Sequence, residues 1–136
     1  MNMTTHDFDD AVAALDHAKA SADHRYCPAI GDILARVGDK WSMMVVMRLL
    51  DGALRFNALK REIGGISQQM LSRTLRALER DGLVERTVHA TVPVQVDYAL
   101  SPLGHSLAEP VRLLGAWAFA HRPVIEQARA RYDAQE

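Results

Sequence analysis

The chain has 136 residues, of which 49% are hydrophobic and 24% charged, with a formal net charge of −1. That length and balance fit one folded domain with a core of its own, and exclude a disordered or low-complexity chain. The longest apolar run, Leu113 to Ala120, is too short to span a bilayer. The acidic start is unlike a signal peptide, and one cysteine rules out an internal disulfide framework; the expected compartment is the cytoplasm.

Phe8, Val12 and Leu15 recur at helical spacing, so a first helix is expected over about 6–21, with one apolar stripe opposite an acidic side. Such a stripe needs cover, from its own core or from a second subunit. Tyr26-Cys27-Pro28 opens the next helix. Pro28 suits the first helical position, which puts Cys27 at the N-cap, and Ile30, Ile33, Leu34 and Val37 give one face that stops at Gly38. A third helix starts near Asp39 or Lys40, carries Trp41, Val45, Val46, Leu49 and Leu50, and ends at Asp51-Gly52.

Asn57 is placed to cap a short helix, Ala58 to Ile63, which Gly64-Gly65 breaks. Ser67 caps the helix that follows, Gln68 to Asp81. In that helix Leu71, Leu75 and Leu78 share one face. Gln69, Ser72, Arg73, Arg76 and Arg80 share another. Val84, Arg86 and Val88 alternate with their neighbours, as do Val92 through Leu100, giving two strands joined through His89-Ala90-Thr91, with Pro93 near the tip or an edge. Ser101-Pro102 starts a final helix marked by Leu103, Leu107, Val111, Leu114 and Ala118, with Trp117 beside the stripe. Pro110 should kink it or interrupt its hydrogen bonding, and Pro123 should break it and leave a polar tail helix to about Tyr132.

The fold expected is therefore mainly α with a small antiparallel β-ribbon. A capped helix pair followed by a ribbon is the order of a winged helix-turn-helix, which lays its second helix in the major groove of DNA. Charge agrees locally. Residues 1–24 carry five acids against Lys19, or −4, whereas residues 55–91 carry seven bases against four acids, or +3. DNA responds to the face it meets rather than to the sum.

From Cys27 to about Trp117 the chain resembles the HxlR family of winged-helix transcriptional regulators. The resemblance is carried by Cys27-Pro28, Gly38-Asp39-Lys40-Trp41-Ser42, Arg55-Phe56-Asn57, Leu59, Gly65-Ile66-Ser67, Met70-Leu71 and Leu75. It continues through Leu78-Glu79, Gly82-Leu83-Val84, Arg86, Pro93, Val96-Asp97-Tyr98, Leu100-Ser101 and Leu103-Gly104. It implies a homodimer on a palindromic operator, with repression the expected sign. It also implies a single winged-helix domain in which 1–24 is an N-terminal dimerisation helix, 25–100 the core and 101–136 the C-terminal dimerisation helices. The interface then takes Phe8, Val12 and Leu15 together with Leu107, Val111, Leu114 and Trp117, the same stripes that would otherwise close the monomer core. Gln68, Gln69, Ser72, Arg73 and Arg76 fall to base edges and adjoining phosphates; Arg55, Asn57 and Lys60 to phosphates; Arg86, His89 and Thr91 to wing contacts. Ala90 and Gln95 stand where the family often has proline and arginine, so this wing has less positive charge.

Some members resembling this chain sense oxidants with the cysteine at the position of Cys27. An N-cap thiol faces the positive end of a helix, which favours thiolate, and His24 and Arg25 add to that. The competing reading is a small buried apolar residue between helices. With no second cysteine, only a bridge between subunits, a mixed disulfide or direct oxidation remains. His17, His24 and Cys27 fall short of a metal set, so no metal or cofactor is expected. No nucleophile elbow or phosphate loop is present, and the chain is read as a non-enzyme. A winged-helix protein-interaction module without DNA binding is the rival reading. A small effector, apolar or aromatic, fits the implied dimer cleft, for which the sequence shows no pocket.

Overall fold

The computed structural model describes the backbone of residues 5–20 and 26–135 and the side chains of residues 9–17 and 30–135. Its elements are α1 (Thr5–Ala20), α2 (Tyr26–Gly38), α3 (Lys40–Leu49), β1 (Leu54–Arg55), α4 (Phe56–Ile63), α5 (Gln68–Arg80), β2 (Val84–His89), β3 (Gln95–Leu100) and α6 (Pro102–Ala134). The expected fold class, mainly α with a small antiparallel sheet and a winged helix-turn-helix core, is what the chain adopts.

α3 is the centre of the packing. It touches α2, α4, α5 and α6, and its Val45, Val46 and Leu49 meet Leu59, Ile63, Leu71, Leu75 and Leu78 in one dry cluster. The side chain of Asp39 fixes its start by accepting from the Ser42 backbone N–H at 2.9 Å and its hydroxyl at 2.8 Å, so a fully buried serine stays satisfied.

α5 is delimited at both ends by local chemistry. The Ser67 hydroxyl accepts from the Met70 N–H at 3.0 Å. At the other end Gly82 takes φ 77°, its N–H donates to the Glu79 carbonyl at 3.0 Å, and the Leu83 N–H reaches back to the Leu78 carbonyl at 2.9 Å. This closure turns Leu83 into the core and launches β2. The start of α6 is fastened to the same turn. The Ser101 hydroxyl donates to the Gly82 carbonyl at 2.5 Å and accepts from the Gly104 N–H at 3.0 Å, and the Ser101 N–H donates to the Leu83 carbonyl at 3.0 Å.

Several local expectations are corrected. α2 begins at Tyr26, so Cys27 stands inside its first turn rather than at the N-cap. α4 begins at Phe56 after Arg55, which makes no side-chain cap; Asn57 lies within the helix because β1 ends one residue earlier and hands the chain over directly. The ribbon is a three-stranded antiparallel sheet, β1-β3-β2, with β3 central, because Leu54 and Arg55 pair with Tyr98 and Asp97. Two residues carry no readable alternation, so β1 was invisible to pattern. Val92 and Val94 belong to the exposed turn around Pro93, and β3 starts only at Gln95. Pro123 does not end the last helix. α6 runs through both Pro110 and Pro123 for 33 residues; the proline φ suits a helix, and the lost N–H and ring clash at each are local costs that do not end it.

Candidate nucleic-acid interface

The buried side of α5 comes first, because it fixes the other. Leu71, Leu75 and Leu78 are at most 1% exposed and Thr74 is 5% exposed, its hydroxyl donating to the Met70 carbonyl at 2.8 Å. With 3.6 residues per turn this leaves Gln68, Gln69, Arg73 and Arg76 facing solvent and Ser72 half-buried at the margin. None of the four exposed side chains has a hydrogen-bond or ion-pair partner among the described residues. Four donor-rich groups therefore sit unpaired on one face of a helix whose other face is locked in the core. Arg80 extends the same basic stripe.

Around α5 the expected phosphate and wing contacts divide into two sets. Asn57 is exposed and Lys60 half-buried on α4, neither with a partner among the described residues, and Arg86 stands equally free on β2. The rest of the wing is engaged with itself. The Arg55 guanidinium donates to Gln95 Oε1 at 2.7 Å and stands 3.9 Å from Asp97, while His89 Nε2 lies 2.8 Å from the other Asp97 oxygen. The Thr91 hydroxyl donates to the Pro93 carbonyl at 2.7 Å. Strand pairing makes this cluster: Arg55 lies opposite Asp97, and His89 opposite Gln95. Gln95 and Asp97 thus organise the wing. Sequence reading missed that role because it arises only once β1 and β2 both pair with β3.

Of the interface stripes, Val12 and Leu15 on α1 are exposed, as are Leu114 and Trp117 on α6. Val111 is 5% exposed and Leu107 packs on the core cluster, so the monomer itself absorbs these two. The side chains of Phe8 and Cys27, and residues His24 and Arg25, lie outside what the structure describes. No group of three metal-ligating side chains occurs among the described residues, and no described helix is long and apolar enough to cross a membrane.

The model of the HxlR-like helix-turn-helix family matches residues 36–126. The chain belongs to that family. Its HTH-type regulator relatives include YtfH of Escherichia coli, 37% identical over 103 residues that cover 76% of this chain and 81% of that one. Among solved structures, the redox regulator HypR in its reduced form superimposes with a TM-score of 0.68 at 35% identity, covering 73% of this chain and 98% of that one. The reduced form of the transcriptional regulator YodB from Bacillus subtilis gives 0.61 at 35% identity, covering 68% and 90%. This HxlR-like protein is thus a transcriptional regulator of the helix-turn-helix type.

Proposed function

We propose that the protein binds duplex operator DNA as a homodimer, with α5 of each copy in the major groove, and represses the adjoining promoter. One observation carries the reading: α5 presents Gln68, Gln69, Arg73 and Arg76 outward with no partner among the described residues, while its opposite side is immobilised in the core. Arginine pairs with guanine and glutamine with adenine in the major groove, and a rigid helix sets their spacing. Asn57, Lys60 and Arg86 flank the helix as phosphate contacts. Val12, Leu15, Leu114 and Trp117 are among the exposed apolar side chains of the helices that pair the two copies.

Footprinting on the protein's own upstream DNA tests this. Protection of a two-fold symmetric site is expected. No protection and no gel shift at micromolar protein and moderate salt would favour a protein-interaction module instead.

The likeness to HypR and YodB supports a second layer, control by oxidants through Cys27. Two Cys27 thiolates of paired copies would lose two electrons to the oxidant and form one disulfide between subunits. Repeating the footprint after diamide treatment, with wild type and Cys27→Ser, checks it: protection should change in wild type and stay constant in the variant. The same change in both would remove Cys27 from the mechanism.

A further inference from the structure

A cavity of about 630 Å³ opens between the end of α2, the outer side of α3 and the middle of α6, away from the DNA-facing surface of α5. Its walls are apolar: Met43, Met44 and Met47 from α3 face Val111 and Leu114 from α6. The volume falls within the usual range for a small-molecule site. Three flexible thioethers in one wall let it adjust to a ligand's outline.

Two cations stand among these apolar walls, and they are not equivalent. Arg112 is held by Glu109 through contacts of 3.2 and 2.8 Å, and that hydrogen bonding raises the arginine pKa and lowers the glutamate's. Arg48, in the last turn of α3, has no hydrogen-bond or ion-pair partner among the described residues. An apolar groove with one uncommitted guanidinium matches a ligand with a hydrocarbon body and a single anionic end, since a planar fork recognises a carboxylate with two parallel hydrogen bonds.

We propose that this groove binds a small apolar organic carboxylate, its ring or chain against the methionines and its carboxylate on Arg48, and that this molecule is an effector of the regulator. α3 backs the recognition helix on its inner side, and α6 carries the apolar side chains assigned to dimer pairing. A ligand wedged between them bears on both. The binding claim stands without DNA; the effector claim rests on the operator-binding reading above.

The probe is 1-naphthoate, titrated calorimetrically into the full chain without DNA, with the neutral 1-naphthamide as its control. Naphthoate is expected to bind with Kd of about 0.1–1 mM, and naphthamide about tenfold more weakly. Arg48→Gln should erase that difference. A Cβ at Gly115, which lines the groove, meets nothing within 4 Å, so Gly115→Phe should fill the space and abolish binding while the melting temperature holds. Equal binding of both probes, binding unaffected by Gly115→Phe, or no heat at millimolar probe overturns the site. Naphthoate binding only after dilution to monomer means that a second copy covers the groove, and overturns it as an effector site. Operator protection by wild type should change with saturating naphthoate but not in Gly115→Phe. Unchanged protection, with calorimetric binding intact, overturns the effector role alone.

Discussion

Arg73 and Arg76 differ from Arg55 in what they are free to do. The first two have no partner on the protein among the described residues, whereas Arg55 is already committed to Gln95 and lies near Asp97. Arg73→Ala or Arg76→Ala should therefore weaken operator binding by roughly 10- to 100-fold, as losing a base or phosphate contact does, and leave the oligomeric state unchanged. Fluorescence anisotropy beside sedimentation velocity checks both halves; unchanged affinity in both variants would remove α5 from the interface. Asp97→Asn should act in the opposite direction. It removes a negative charge from beside Arg55 and His89 and leaves Arg55 on Gln95, so the wing repels phosphate less and affinity for any duplex should rise. A fall in affinity would show instead that Asp97 holds the wing in its binding shape.

At the scale of elements, short capping and closing contacts set the position of α5. Ser67→Ala removes the hydroxyl that accepts from the Met70 N–H and should cost about 1 kcal/mol in urea unfolding. Gly104 is the tighter constraint. A Cβ there would overlap the Leu83 carbonyl oxygen, which is backbone and already accepts from the Ser101 N–H. Gly104→Ala should cost about 1–3 kcal/mol by forcing α6 away from the turn that closes α5, read as a lower urea midpoint. α6 shows how a residue-level rule yields to its element. Pro123 removes one N–H, but the helix on either side keeps its other bonds and continues.

For the whole molecule, about four phosphates per subunit, or about eight per dimer, would give log affinity a slope against log salt near −7. A slope near half that value at the same operator would indicate that a single copy binds. Trp117→Asp, which places a charge on an exposed apolar side chain of α6, should lower the sedimentation coefficient toward that of the monomer and leave the fold intact. From the sequence alone came the order of helices and ribbon, the Ser67 and Ser101 caps, the break at Gly64-Gly65, and the split of α5 into leucine and Arg/Gln faces. These follow from local propensity and periodicity, which reside in consecutive residues. Only the tertiary structure decided that Leu54-Arg55 forms a strand, that Arg55 and His89 converge on Asp97, and that Val111 and Leu107 pack within their own chain while Leu114 and Trp117 do not. It also revealed the groove beside Arg48. Each of these joins segments far apart in the chain. Their placement depends on which surfaces meet when the core around α3 closes, and no local pattern records that.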